Sequence, residues 1–126
     1  LWSRLHDGEQ AHNMIEGLIS YNMLDNLFTS HKIPLQIDGN YGIAAAMIEM
    51  LIQSHSDAIE LLPAVCPQWT EGDARGLKAR GNIEVDLAWK DGQVTSWKLY
   101  SPQPLPVKVR VNGKVHTVTP ELRTGR

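Results

Sequence analysis

The first part of the chain carries apolar residues at helical spacing. Between Glu9 and Leu24 they recur at positions i, i+3, i+4, i+7 and i+8, which predicts an amphipathic helix. These positions are Ala11, Met14, Ile15, Leu18 and Ile19. Asp7 precedes the helix, and its short carboxylate is expected to accept a hydrogen bond from a free N–H group of the first turn.

A second helix is predicted to begin between Asn40 and Gly42 and to run to about Ser54. Its residues 43–52 are apolar except for Glu49, so the helix presents apolar side chains in nearly every direction. A helix of this kind is buried inside a large structure. Because 126 residues can hardly enclose it, we interpret the chain as the C-terminal part of a longer protein.

After Pro63 the apolar residues alternate with polar ones, which is the period of strands with one buried face. Strands are predicted at residues 83–89, 94–100, 107–111 and 115–118, with turns at Asp91-Gly92 and Asn112-Gly113. The predicted fold class is therefore α+β. Helices occupy residues 1–62, and a small antiparallel β-domain occupies residues 63–126.

The composition excludes several classes of partner and site. Twelve Lys and Arg against fourteen Asp and Glu give a formal net charge of −2, and no basic run or polybasic helix indicates nucleic acid or a membrane surface. The apolar stretch 43–52 is shorter than the roughly 20 residues that span a bilayer. Cys66 is the only cysteine, which excludes an internal disulfide, and its apolar neighbours predict a buried thiol rather than a nucleophile.

Polar groups of varied chemistry lie between the two predicted helices, in residues 26–42. His31, Gln36, Asp38 and Asn40 fall within ten residues of one another. Gly39 and Gly42 accompany them, and glycine allows a positive φ or a close approach to the backbone. Loops on a rigid scaffold commonly carry functional groups, so this segment is the candidate site.

Asp38 is the most informative residue of the segment. It is predicted to precede a helix start, where free N–H groups and the helix dipole favour an ionised carboxylate. Such a group suits a base or the partner of a base. A second interpretation stays open, because Asp38 or Asn40 would also serve as a helix cap.

Other aromatic and histidine residues have structural interpretations. Trp89 is in phase with the apolar strand positions, which predicts a core residue, whereas Trp69 and Trp97 leave open a sugar-binding platform. Three further histidines lack metal-ligand spacing. They are His12, His55 and His116.

The order of residues from the first turn to the predicted hairpin resembles glycoside hydrolase family 95. The resemblance runs through residues 1–8, NLF at 26–28, SH at 30–31, PLQIDGNYG at 34–42, residues 45–55, LLPA at 61–64, Trp69, GLKARG at 76–81, VD at 85–86 and WKDG at 89–92. It covers about residues 1–100. The loop departs from the family pattern at HKIP, where His-Pro-Pro is common, and Tyr41 replaces a common phenylalanine.

The resemblance implies the last helices of an (α/α)6 barrel and a C-terminal β-domain, in a family that removes α-1,2-linked L-fucose with inversion. A glutamic acid protonates the leaving oxygen, and an asparagine polarised by an aspartate positions the attacking water. That aspartate matches Asp38, the predicted catalytic residue. The glutamic acid and the asparagine would lie outside this chain, so Asn40 is not that asparagine. An inverting mechanism leaves room for water between two carboxyl groups, and here the second would act through the amide.

The resemblance also implies substrate-binding candidates, each with a structural alternative. His31 would bind sugar or order the loop, Gln36 would touch sugar or fix the loop, and Tyr41 would pack on fucose or in the core. Asn40 is the fourth candidate. Because water is the nucleophile, no metal or organic cofactor is expected.

The expected partners are a fucosylated oligosaccharide or glycan and the remainder of the catalytic barrel. Export of the full-length protein would suit that role. The chain alone is expected to be inactive because the general acid is absent. Two rival hypotheses remain, a barrel glycosidase for another sugar such as an α-L-galactosidase, and a non-catalytic carbohydrate-binding or interaction module centred on the β half.

Overall fold

The computed structural model describes residues 1–30 and 35–122. A 3₁₀ helix at Trp2–Leu5 is followed by helix α1 (Gly8–Asn22) and helix α2 (Ile37–Leu51). The strands are β1 (Ile52–Gln53), β2 (Ile59–Leu61), β3 (Glu71–Ala79), β4 (Ile83–Lys90), β5 (Gln93–Ser101), β6 (Val107–Val111), β7 (Lys114–Val118) and β8 (Glu121–Leu122). The α+β class is confirmed at this level.

Helix α1 has the predicted cap, and two of the five residues of its predicted apolar face are buried. The Asp7 side chain accepts a hydrogen bond from the Gln10 N–H at 3.0 Å, so the cap is confirmed. Ala11 and Ile15 are buried, whereas the predicted partner Met14 is 54% exposed. Helix α1 ends at Asn22, so the predicted end at Leu24 was two residues too late.

Helix α2 begins earlier than the sequence predicted. Its first residue is Ile37, and its last is Leu51. The predicted start between Asn40 and Gly42 was wrong because Asp38 and Gly39 have low helix propensity, which the packing of the preceding loop overrides. Asp38 consequently lies in the first turn of α2 rather than before it.

Two sheets of four strands form the second part of the described chain, in the orders β1-β2-β6-β7 and β3-β4-β5-β8. Both contribute to one apolar core, so they pack face to face as a small sandwich. The core residues are Ile52, Ile59, Leu61, Ile83, Val85, Leu87, Trp89, Val94, Leu99, Val109 and Val111. Trp89 is 8% exposed, which confirms its core position.

The sheets are mainly antiparallel, with two parallel pairings that the sequence did not predict. Strand β2 runs parallel to β6, and β5 runs parallel to β8. The predicted hairpin turns at Asp91-Gly92 and Asn112-Gly113 are present, and all four residues have φ between 48° and 77°. Positive φ at both central residues is the geometry that gives Asx-Gly turns their preference for two-residue hairpins.

Strand structure starts before the predicted change at Pro63. Strands β1 and β2 precede that proline and pair with each other, and β2 also pairs with β6. They were not predicted because strands of two and three residues are too short to show a period.

The helices and the sandwich are joined by a second apolar cluster and by polar contacts. Ala64 and Cys66, in the segment that follows β2, pack with the buried residues of α1 and α2. The buried thiol of Cys66 confirms its predicted role as a small core residue. The Gln53 amide donates to the Ser3 carbonyl at 2.7 Å. The Nε2 atom of His6 lies 3.4 Å from the Glu60 carboxylate.

The 3₁₀ helix is also tied to α2. Arg4 donates two hydrogen bonds to the Glu49 carboxylate, at 3.0 and 3.2 Å. The hydrogen bonds to Glu49, with its negative charge, raise the pKa of Arg4. The guanidinium therefore remains charged at every physiological pH.

Candidate functional site

The loop before α2 is held by the side chain of Asn40. Its Oδ1 atom accepts the Thr29 N–H at 2.8 Å and lies 3.0 Å from the Thr29 hydroxyl. Its Nδ2 atom donates to the Leu27 carbonyl at 2.7 Å. The Asn40 amide therefore bonds the loop on both of its polar atoms, which leaves little capacity for a ligand.

Thr29 is the centre of this network. It is 3% exposed, and its hydroxyl donates to the Gln36 carbonyl. The Gln36 N–H in turn donates to the Thr29 carbonyl at 2.9 Å. The backbone of Gln36, rather than its exposed side chain, thus fixes the start of α2 against the loop.

Gly39 makes the close approach of Thr29 possible. A Cβ atom at Gly39 would collide with the Thr29 side chain, whereas a Cβ at Gly42 would meet no heavy atom within 4 Å. Both glycines are helical residues of α2. Gly39 is therefore explained by its close packing against Thr29 rather than by a positive φ. Gly42 instead lies on an open part of the helix surface.

One face of α2 is exposed along its first half. Asp38, Tyr41, Gly42 and Ala45 are all exposed, and their spacing of i, i+3, i+4 and i+7 places them on the same side of the helix. Tyr41 is 68% exposed, so it packs into no core formed by the described residues. We refer to these four residues as the outer face of α2.

Asp38 is the only charged residue of the outer face of α2. It has neither a hydrogen bond nor an ion pair with another residue in the ranges 1–30 and 35–122, and it does not cap the helix. Its carboxylate lies in the first turn, where the helix dipole and free N–H groups favour negative charge. An exposed carboxylate beside the small Gly42 leaves space for a group from outside the described chain.

The structure brings together some of the predicted site residues and leaves one outside. Asp38 and Tyr41 share the outer face, while Asn40 and the backbone of Gln36 bond the loop behind it. His31 lies outside the described residues. Thr29 was missed because no local pattern marks it: its partner Asn40 follows eleven residues later, in a different element.

The described ranges contain neither a candidate metal site nor a candidate membrane-spanning helix. No group of three or more His, Cys, Asp or Glu side chains among the described residues could hold a metal ion. Neither α1 nor α2, nor any other helix of the described ranges, is long and apolar enough to cross a bilayer.

Comparison with known families assigns both halves of the chain. Residues 1–51 match the model of the glycosyl hydrolase family 95 catalytic domain, and residues 53–124 match that of the glycoside hydrolase family 95 C-terminal domain. The chain belongs to glycoside hydrolase family 95. The outer face of α2 lies within the match to the family 95 catalytic domain. The strands lie within the match to the family 95 C-terminal domain, except for Ile52, the first residue of β1.

Three curated proteins are similar to this family 95 chain. Alpha-L-fucosidase 2 of Arabidopsis thaliana is 35% identical over 125 residues, covering 90% of this chain and 15% of that protein. Probable alpha-fucosidase A of Aspergillus niger is 33% identical over 74% of this chain and 13% of its own length. Probable alpha-fucosidase A of Aspergillus oryzae is 31% identical, over 70% and 14%. The chain therefore spans about one seventh of the length of each relative.

Proposed function

We propose that the chain is the C-terminal portion of an inverting exo-α-L-fucosidase that removes α-1,2-linked L-fucose from glycans. The proposal is supported by the two family 95 matches and by the names of the three relatives. Within the full-length protein, α1 and α2 would belong to an (α/α)6 barrel, and the sandwich would support it. The partners would be the fucosylated glycan and the rest of the barrel.

The observation that carries the proposal is the exposed Asp38 carboxylate on the outer face of α2. A neutral asparagine is a poor base unless an anion accepts its N–H and increases the electron density on its oxygen. Asp38 would be that anion, and the attacking water would lose its proton to the asparagine oxygen. The general acid and this asparagine would come from the rest of the barrel, because neither matches a residue of this chain.

The exposed apolar side chains of α1 and α2 support the proposal that further barrel helices pack on this chain. An apolar surface of this extent on a helix pair is normally covered by other structure. The exposed apolar residues of α1 and α2 are Met14, Leu18, Ile19, Tyr21, Ile37, Tyr41, Met47 and Ile48. Neighbouring barrel helices would cover most of them and would leave Tyr41 beside the substrate.

The division of the chain into two domains belongs to the same proposal. The sequence placed the boundary between residues 62 and 63, whereas β1 already pairs within the sandwich. We propose a boundary near Ile52, where α2 ends and the first strand begins. Ala64 and Cys66 then return to pack on the helices.

The substrate-binding candidates acquire different proposed roles. Tyr41 would contact the sugar, because its ring is on the same helix face as Asp38. Asn40 and Gln36 would position the loop, because Asn40 bonds Thr29 and Leu27 and the backbone of Gln36 bonds Thr29. His31 stays a prediction from the resemblance.

The reaction is tested by the anomer that the full-length protein releases. On 2′-fucosyllactose, inversion at an α-linked sugar predicts β-L-fucose as the first product, detected by proton NMR before mutarotation. The 126-residue chain alone should release none. Initial release of α-L-fucose, or activity of the chain alone, would contradict the proposed mechanism.

The same assay on matched α-L-galactosides tests the rival α-L-galactosidase activity. L-galactose differs from L-fucose by one hydroxyl at C6, and kcat/KM for the two glycosides would identify the preferred sugar. Trp69 and Trp97 do not support the carbohydrate-binding-module alternative, since both pack against the sandwich core.

A further inference from the structure

The sheet β3-β4-β5 presents a polar outer face on which side chains of neighbouring strands form rows. Opposite residues form rows across it: Asp73 faces Ala88, and Ala88 faces Ser96. The next row pairs Asp86 with Lys98. Successive rows on one face are about 6.7 Å apart along the strands, so the rows form one continuous surface.

The rows enclose a cleft because their side chains differ in size. Ala88 and Ser96 form a low floor, and the longer side chains of Arg75, Lys98 and Tyr100 surround it. The cleft has a volume of about 370 Å³. That volume lies within the about 300–1,000 Å³ of small-molecule sites, although this cleft is open and shallow.

The charges around the floor are mixed and sum to zero. Asp73 forms an exposed ion pair with Arg75 at 3.3 Å. Asp86 accepts the Gly76 N–H at 2.8 Å, which fixes its carboxylate. Lys98 is exposed and has no ion pair among the described residues. The surface therefore offers both acceptors and donors within one cleft.

Mixed acceptors and donors select for a neutral polyhydroxyl ligand. Each hydroxyl group both donates and accepts, so adjacent sugar hydroxyls can bond a carboxylate and an ammonium group together. A phosphate or sugar carboxylate would be attracted by Arg75 and Lys98 but repelled by Asp73 and Asp86, so the zero net charge gives it no electrostatic advantage over a neutral sugar. An apolar peptide would remove these charges from water without pairing them. The ring of Tyr100 adds an apolar wall for the C–H groups of a pyranose.

We propose that the outer face of β3-β4-β5 is an accessory binding site for a neutral glycan, separate from the outer face of α2. The site shares no residue with the proposed catalytic group, so it stands or fails independently of the fucosidase proposal. Its role would be to hold a glycan near the enzyme. An open cleft predicts weak affinity, with Kd on the order of millimolar.

The test is a ¹⁵N–¹H NMR titration of the 126-residue chain with 2′-fucosyllactose, lactose and 3′-sialyllactose. Both neutral sugars should give saturable shifts at the amides of Ala88, Ser96 and Lys98. Sialyllactose should bind no more tightly than the neutral sugars, because a cleft of zero net charge does not favour its carboxylate.

Two variants and a control locate the site. Ser96→Trp fills the floor and should weaken binding by about tenfold or more, equivalent to about 1.4 kcal/mol. Lys98→Ala removes one donor without adding bulk and should weaken binding measurably, which keeps the test valid if the first variant fails to fold. Thr117→Trp, on exposed β7 of the other sheet, should bind like the parent chain.

Four results would overturn the accessory site. Three of them are the absence of saturable shifts in the cleft with either neutral sugar, tighter binding of sialyllactose than of both neutral sugars, and unchanged binding by both cleft variants. Shifts confined to Asp38 and Tyr41 would also overturn it, and would instead place the glycan at the proposed catalytic face. Failure of the full-length protein to release L-fucose would leave the accessory site intact.

Discussion

At the residue scale, the segment QIDGNYG divides into side chains that hold the loop and side chains that face outward. Asn40 bonds Thr29 and Leu27, and Gly39 admits the Thr29 side chain. Asp38 and Tyr41 are exposed on the opposite side. The same few residues therefore build a helix start and present a carboxylate from it.

The two glycines of the segment predict opposite effects on stability. Gly39→Ala places a Cβ against Thr29 and should lower the free energy of unfolding by about 1–3 kcal/mol. Gly42→Ala has open space and should raise it by about 0.5–1 kcal/mol through helix propensity. Urea unfolding of the 126-residue chain measures both, and equal effects would contradict the packing reason for Gly39.

Asn40 should contribute to stability more than an exposed helix asparagine does. Asn40→Ala removes the acceptor of the Thr29 N–H and the donor to the Leu27 carbonyl, which should cost about 1–3 kcal/mol. Asn13→Ala, on the exposed face of α1, should be neutral or slightly stabilising. The same unfolding experiment compares them, and a neutral Asn40→Ala would show that the network is not needed.

At the element scale, long periodic elements could be predicted and short or irregular ones could not. The alternation in β4 and β5 and the two Asx-Gly turns predicted the central hairpins, because each strand buries one face. Strand β3 was not predicted: Gly72 lies where Trp89 leaves no space for a Cβ, and Gly76 has φ of 73° at an irregularity. Because these positions require glycine, β3 does not show the alternation of apolar and polar residues that predicts a strand.

The candidate site was predictable only in part for the same reason. The resemblance identified Asp38 as the catalytic candidate, and its exposure is visible only in the structure. The role of Thr29 depends on a helix that follows the loop, so no local sequence pattern contains it. Local patterns predict elements, whereas contacts between elements determine which side chains remain available.

Gln53 is expected to couple the helices to the sandwich. Its Nε2 atom donates to the Ser3 and Glu49 carbonyls at 2.7 and 2.9 Å, and the side chain is buried. Gln53→Ala leaves both carbonyls without this donor and should lower the free energy of unfolding by about 1–3 kcal/mol. Gln93→Ala at an exposed hairpin start is the control; a similar small effect of both would refute the coupling.

At the scale of the whole molecule, the sandwich has a closed core and the helices do not. The core cluster of the two sheets is formed within the described chain, whereas apolar side chains of α1 and α2 such as Ile19 and Ile48 remain 41% and 46% exposed. Exposed apolar surface of this kind promotes association. The helical side is therefore where the rest of a family 95 barrel would pack.

The isolated chain should self-associate through its helices. Sedimentation velocity should detect species larger than the monomer as concentration rises, and the double substitution Ile19→Lys with Ile48→Lys should reduce them. Replacing Leu105 and Val115, which are also exposed, by lysine should have little effect. A chain that stays monomeric, or equal effects of the two pairs, would contradict an uncovered barrel face.

The most direct test of the account is Asp38→Asn in the full-length protein, with Asp57→Asn as the matched control. Asp57 is exposed and its ion pair with Lys108 is long, at 3.5 Å, so its loss should change neither activity nor stability. If Asp38 makes the base asparagine reactive, Asp38→Asn should lower kcat on 2′-fucosyllactose by about 10²–10⁴-fold. KM and the free energy of unfolding should change little. A kcat equal to that of Asp57→Asn would contradict the central claim.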